Sequence, residues 1–186
     1  MASAIKITAP FTQKEARELR AGDRLLLSGT IYTARDAAHA RIVELLKNSD
    51  PPPFDLYDAC VYYAGPTPAR PGAVIGSIGP TTAGRMDAYA PALMAAGLRC
   101  MIGKGPRSRA VAEAMAEHGA VYLAAEGGVA ALLARCVTAC ETVAWPELGS
   151  EAVRRLELRD MPLIVALDAH GGDLYESGPA AYLSGR

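Results

Sequence analysis

Apolar residues follow two different spacings along this chain, and the spacing changes from one segment to the next. Short apolar runs predict strands at 5–8, 24–33, 60–64, 73–78, 99–102, 121–123, 136–144, 152–158 and 163–167. Helical spacing, or the start and stop signals of helices, predicts helices at 14–20, 36–47, 86–96, 108–118 and 128–135. Strands that alternate with helices indicate an α/β fold with a central, partly parallel sheet.

Three local signals refine this prediction. Thr12 and Glu15 have the spacing of a capping box at the start of a helix. Gly29 lies within a predicted strand and indicates a bulge, and the three prolines at 51–53 end whatever element precedes them. Since no segment repeats and no low-complexity stretch interrupts the pattern, we expect one domain over residues 1–186.

Composition narrows the classes of function. The 19 basic and 20 acidic side chains leave a formal net charge of −1, and 51% of the 186 residues are hydrophobic. This balance is typical of a globular protein and lacks the clustered positive charge of a nucleic-acid or anionic-membrane binder. No apolar run is long enough to span a membrane, and the first residues do not resemble a signal peptide. We therefore expect a cytoplasmic protein.

Cations stand at three of the predicted strand-to-helix joints, where α/β folds bind their ligands. They are Arg35, Arg85 and Lys104. Lys104 does not belong to a nucleotide phosphate loop, because Gly105 follows it where that motif requires Ser or Thr. Three placed cations suit a small, multiply anionic ligand such as a dicarboxylate.

Other polar residues of these joints also have ordinary structural explanations. Asp36 can cap a helix, His39 can pack one turn later, and either Thr81 or Thr82 can be an N-cap, which is compatible with an anion site. The cysteines form no CxxC pair, and we expect them to be reduced, small and buried. They are Cys60, Cys100, Cys136 and Cys140.

Five segments, in the same order between about residues 20 and 175, resemble one known family. They are SGTIYTARDAAH (28–39), YYAGPTP (62–68), GPTTAGRMD (79–87), GKG (103–105) and PELGSEA (146–152). The chain resembles the β subunit, or C-terminal domain, of the class I iron–sulfur fumarases and tartrate dehydratases. The resemblance implies a swivelling β/β/α domain and a hydro-lyase that interconverts fumarate and malate. The 79–86 and 146–152 segments look more like the fumarase branch than the tartrate dehydratase branch.

The resemblance also implies roles and partners. Arg35, Arg85 and Lys104 would bind the substrate carboxylates, and Thr81 would be the candidate base, with Thr82 beside it. The [4Fe-4S] cluster would be held by an α subunit, so this chain would bind neither metal nor cofactor itself. An α₂β₂ assembly, or a homodimer through this domain, is the implied oligomer. The alternatives are an L(+)-tartrate dehydratase β subunit and a non-catalytic dicarboxylate-binding module.

Overall fold

The alternation of strands and helices folds into a mixed α/β structure around one seven-stranded sheet. The structure is a computed structural model that describes residues 4–185. The strands are β1 Ile5–Ala9, β2 Arg24–Thr33, β3 Cys60–Tyr62, β4 Cys100–Gly103, β5 Val121–Ala124, β6 Val137–Ala144 and β7 Val153–Leu167. The helices are α1 Gln13–Glu18, α2 Asp36–Lys47, α3 Ala90–Ala95, α4 Arg109–His118, α5 Ala130–Ala134 and α6 Leu174–Ser184, with 3₁₀ turns at Ala83–Met86 and Pro146–Glu151.

Strands β2, β3, β4 and β5 are parallel neighbours. Strand β7 runs antiparallel to both β5 and β2, and so closes these five strands into a barrel. Strand β1 pairs in parallel with the first half of β2, and β6 pairs antiparallel with the first part of β7. The sheet is therefore partly parallel, as the sequence predicted, and the carboxyl ends of β2, β3 and β4 lie at the same edge.

Two buried clusters lie on opposite faces of the strands because successive side chains point to opposite sides. In β3, Val61 packs in the cluster that includes α2, α3 and α4. Tyr62 instead joins Ile102 of β4 and Leu123 of β5 in the cluster formed by the other face. Helices α2, α3 and α4 thus cover one face of the central strands, whereas Ala16 of α1 and Leu133 of α5 pack on the other face.

Several sequence predictions are confirmed in detail. Strand β2 and helix α2 have the predicted bounds. Thr12 and Glu15 form the capping box at the start of α1. The pairing of β2 with β7 shifts register between Leu27 and Gly29, where a bulge was predicted.

Other predictions are wrong. No strand forms at 73–78; the loop there is closed by bonds between Thr67 and Ser77. Val74 is 50% exposed, so the apolar residues of this segment do not pack as a buried strand would. The two strands predicted at 152–158 and 163–167 are one strand, which continues through Asp160 in a left-handed conformation (φ 49°). The predicted helix 86–96 begins only at Ala90, after a 3₁₀ turn, and α6 was not predicted.

Within residues 4–185, no helix has both the length and the apolar character needed to cross a membrane. The cytoplasmic location, the single-domain organisation and the swivelling motion stay predictions.

Candidate anion-binding site

The five residues proposed from the sequence lie at the carboxyl edge of β2, β3 and β4. Arg35 follows β2 by two residues, and Lys104 directly follows β4. The segment 79–85 lies between them and is bonded to both neighbouring strand ends. The Thr81 N–H donates to the Tyr63 carbonyl at 2.7 Å, and the Lys104 N–H donates to the Thr81 carbonyl at 3.2 Å. Residues from three separate segments therefore meet at one edge of the sheet.

Arg35 and Arg85 converge on one carboxylate, that of Asp36. The Arg85 Nε lies 2.9 Å from Asp36 Oδ1, and the Arg35 Nη2 lies 3.9 Å from Asp36 Oδ2. Asp36 is the first residue of α2, whose N-cap is Arg35, so the predicted capping role of Asp36 is wrong. Its carboxylate instead accepts a hydrogen bond from Arg85, while the Arg35 guanidinium lies beyond hydrogen-bond distance of the other oxygen. The side chain of Arg85 is 52% exposed.

Lys104 approaches from β4 and is exposed. Its Nζ lies 3.8 Å from the point where a Cβ on Gly127 would stand, so this glycine leaves room for the lysine side chain. The next residue, Gly105, is anchored by two tyrosines: its N–H donates to the Tyr175 hydroxyl at 2.9 Å, and its carbonyl accepts from the Tyr122 hydroxyl at 3.0 Å. The loop that carries Lys104 is thus tied both to the barrel and to α6.

Thr81 and Thr82 lie beside the backbone of Lys104, to which their segment is hydrogen-bonded. Thr81 is half-buried and Thr82 is exposed. Thr82 is the N-cap of the turn Ala83–Met86, yet its side chain makes no capping hydrogen bond there. A bridge of the parallel type pairs Thr82 with Lys104. The Thr82 hydroxyl is therefore not used by the helix start.

A buried ion pair between Arg107 and Asp87 links two of the loops that form the site. The Arg107 side chain is fully buried, and its Nε lies 2.7 Å from Asp87 Oδ1. The guanidinium also stands over the rings of Tyr63 and Tyr122, at 5.4 and 4.9 Å from their centroids. Asp87 Oδ2 accepts in addition from the Ser108 N–H at 2.6 Å. This pair joins the segment after Arg85 to the loop after Lys104. The role of Arg107 was not predicted from the sequence, because its partner Asp87 lies in another loop.

His39 occupies the core beneath the start of α2. Its ring is fully buried, and Nδ1 lies 2.9 Å from the Arg35 carbonyl, to which it can only donate. Burial, reinforced by the charge of Arg107, lowers the pKa of His39 to about 4, so the ring is neutral at neutral pH. The prediction that His39 is a packing residue is confirmed, and its hydrogen bond holds the backbone of Arg35.

The described residues do not form a site for an iron–sulfur cluster. Within residues 4–185, no three His, Cys, Asp or Glu side chains come close enough to share a metal ion. Cys60 and Cys100 are fully buried on neighbouring strands, where burial raises the pKa of the Cys100 thiol well above its usual range. Cluster ligation requires thiolates, and these surroundings oppose the thiolate form.

Comparison with known proteins gives consistent matches. The family model of the fumarase C-terminus matches residues 1–178. A Methanocaldococcus jannaschii protein named "Putative L(+)-tartrate dehydratase subunit beta" is 43% identical over 172 residues. The aerobic class I fumarate hydratase of Escherichia coli K12 is 43% identical over 155 residues, and fumarate hydratase 2 of Leishmania major is 42% identical over 156 residues.

The matches differ in how much of each relative they cover. The alignment with the archaeal protein covers 89% of this chain and 88% of that protein. The alignments with the two fumarate hydratases cover 82% and 83% of this chain but only 28% of each enzyme. This chain thus spans less than a third of each of these two fumarate hydratases.

Proposed function

Because this chain belongs to the fumarase C-terminus family, we propose that it is the β subunit of an iron–sulfur hydro-lyase that hydrates fumarate reversibly to (S)-malate. The observation that carries the proposal is that Arg35, Arg85 and Lys104 lie at one edge of the sheet, with Thr81 and Thr82 in the segment bonded to the Lys104 backbone. Fumarate hydratases and a tartrate dehydratase subunit are among its relatives, which supports a hydro-lyase reaction on a small dicarboxylate.

The cations recognise the two carboxylates of the substrate. A guanidinium can donate two parallel N–H groups to one carboxylate. Arg35 and Arg85 therefore orient the substrate carboxylate as well as balance its negative charge. Lys104 adds a compact charge from the neighbouring strand. As the C–H bond next to a carboxylate breaks, negative charge builds up on that carboxylate, and cations held there in advance stabilise it.

Thr81 is the candidate base that removes this proton, and Thr82 lies beside it. A hydroxyl is a weak base, so the assignment requires positive charge nearby or an acidic group from the partner. Lys104 is the candidate for this charge, because its backbone N–H donates to the Thr81 carbonyl at 3.2 Å. Replacement of Thr81 by Val, which keeps the shape but removes the hydroxyl, tests this role through the loss of kcat.

The proposal assigns the [4Fe-4S] cluster, and with it the removal of the hydroxyl group, to an α subunit. The fumarate hydratases contain about 72% of sequence that this chain does not match, which leaves room for such a part. An α₂β₂ assembly, or a homodimer through this chain, is the proposed oligomer.

One observation favours a second candidate, the β subunit of an L(+)-tartrate dehydratase. The relative that this chain matches over 88% of its length bears that name. Tartrate has one hydroxyl more than malate, and among the described residues we can assign no group to the recognition of that hydroxyl. The same three cations would serve either dicarboxylate.

The decisive experiment is anaerobic co-expression with the α subunit, followed by cluster reconstitution. The purified complex is then assayed for fumarate hydration and for L(+)-tartrate dehydration. We expect fumarate hydration to have the higher kcat/KM. Faster tartrate dehydration would select the second candidate. A reconstituted complex that binds fumarate but turns over neither substrate would instead identify a non-catalytic dicarboxylate-binding module.

A further inference from the structure

The turn Pro146–Glu151 lies against the joint between β2 and α2, which carries Arg35. It presents two glutamates, and each is paired with an arginine from that region. Glu147 pairs with Arg41, where the side chains are 58% and 41% exposed. Glu151 pairs with Arg35, where they are only 22% and 21% exposed. The second pair is the more enclosed, and its arginine is one of the three site cations.

Glu151 uses both of its carboxylate oxygens at this joint. Oε1 lies 3.3 Å from the Arg35 Nη2, and Oε2 accepts from the Ala37 N–H at 3.0 Å. The first N–H groups of a helix lack partners within the helix, and the N-cap of α2 supplies no side-chain bond. One carboxylate from a distant turn therefore fixes the helix start and the arginine together.

The backbone on either side of Glu151 is itself held in place. The Arg154 guanidinium donates to the carbonyls of Gly149, Ser150 and Ala152 at 2.7, 3.3 and 3.1 Å. The Arg154 N–H donates to the Thr33 hydroxyl at the end of β2, at 3.1 Å. The turn is thus bonded to the same strand end that leads to Arg35, so the Glu151 carboxylate is presented from a fixed backbone.

Gly65 lies against another side of the Arg35 guanidinium and restricts its position. A Cβ at Gly65 would stand 3.1 Å from the Arg35 Nη1 and 2.8 Å from the Ser150 carbonyl. Only a residue without a side chain allows this close approach. Arg35 therefore lies between Gly65 and Glu151. Among the described residues, the half-exposed Arg85 has one acidic partner, Asp36.

We propose that Glu151 is a positioning residue, which holds the Arg35 guanidinium in the orientation that binds one substrate carboxylate. The inference rests on the proposed function of the site and adds to it a residue that acts through Arg35. An arginine that is already oriented loses less side-chain entropy when the substrate binds. Loss of the Glu151 charge should therefore weaken substrate binding.

The kinetic test compares Glu151→Gln with Glu147→Gln in the reconstituted complex with the α subunit. Glutamine keeps an acceptor for the Ala37 N–H but removes the charge that holds Arg35. We expect Glu151→Gln to raise KM for the dicarboxylate about tenfold or more, with a smaller change in kcat. Glu147→Gln should leave KM within about twofold, because its ion pair is exposed. Glu151→Asp, which keeps the charge, should recover part of the loss.

A second measurement reads the arginine directly in the full chain. The Nε atom of Arg35 is buried, so its proton should exchange slowly with water. In protein labelled with ¹⁵N-arginine, this Nε–H group should therefore give a sharp NMR signal. We expect Glu151→Gln to broaden or abolish this signal and Glu147→Gln to preserve it. Equal signals and equal KM in the two variants would overturn the inference. A wild-type complex inactive on both fumarate and tartrate would overturn the proposed function instead, while the arginine signals would still decide whether Glu151 holds Arg35.

Discussion

At the scale of single residues, Arg85 and Lys104 reach the site from different segments, so each can be removed separately. Arg85→Ala and Lys104→Ala should each lower kcat/KM of the complex about tenfold or more, since a charge-assisted hydrogen bond contributes roughly 1.5–3 kcal/mol. The control is Arg109→Ala, which removes an arginine that is 91% exposed and paired with Glu113 within α4. Near-wild-type kinetics for Arg85→Ala or Lys104→Ala would remove that residue from the site.

A second prediction at this scale concerns the buried His39. Its folded-state pKa of about 4 lies below the ordinary value of 6.5, so between these pH values the unfolded chain binds more protons than the folded one. The free energy of unfolding should therefore fall as pH decreases through this window, by up to about 3 kcal/mol. Urea unfolding at several pH values measures the slope.

His39→Asn is the variant that isolates this contribution. Asparagine keeps an N–H donor for the Arg35 carbonyl but does not titrate, so the pH dependence should become shallower even if stability falls overall. His170→Asn is the control, because that side chain is exposed. A His39→Asn protein with the wild-type slope would show that other groups cause the pH dependence.

At the scale of elements, the bulge in β2 depends on Gly29. Its φ is +93°, and a Cβ there would overlap the Ala9 carbonyl of the neighbouring β1. Gly29→Ala should lower the free energy of unfolding by roughly 3 kcal/mol or more, because backbone strain and a steric clash coincide. Gly22→Ala is the matched control: its φ is +98°, but no atom lies within 4 Å of a Cβ there. We expect that variant to lose only about 1 kcal/mol in urea unfolding.

Elements with a complete local signal could be predicted from the sequence, and those without one could not. Strand β2 and helix α2 have long, regular apolar patterns, and both were found with their bounds. The apolar residues near Val74 predicted a strand, but Val74 is 50% exposed and the loop has no neighbouring strand to bond. Helix α6 has no buried residue and contains Pro179, so neither an apolar stripe nor composition indicated it.

The site was predictable to the extent that its residues follow strand ends. Arg35 lies two residues after β2 and Lys104 directly after β4, and parallel strands bring such positions together. The acidic partners were not predictable, because Asp36 binds an arginine from another segment and Glu151 reaches Arg35 from a distant turn. Pairing between remote loops depends on topology, which the sequence pattern does not specify.

At the scale of the whole molecule, the barrel depends on β7, the last strand, which closes against both β2 and β5. Nothing local in the sequence indicates this closure, since β7 pairs with strands that precede it at very different distances. Closure also leaves two strands outside the barrel: within residues 4–185, β1 pairs with β2 alone and β6 with β7 alone. The strands of the barrel and the outer strands should therefore differ in local stability.

Strands β5 and β6 offer a matched test of this difference, since both pair antiparallel with β7. Strand β5 has β4 as a second partner and is mostly buried, whereas β6 pairs with β7 alone among the described strands and has one buried residue, Val137. Native-state hydrogen exchange of the isolated chain should show β5 amides that exchange at least about 100-fold more slowly than the β6 amides bonded to β7, a difference of roughly 3 kcal/mol. Equal exchange rates for the β5 and β6 amides would contradict the idea that barrel closure stabilises β5. Slower exchange of β6 only in the complex with the α subunit would show that assembly covers this edge.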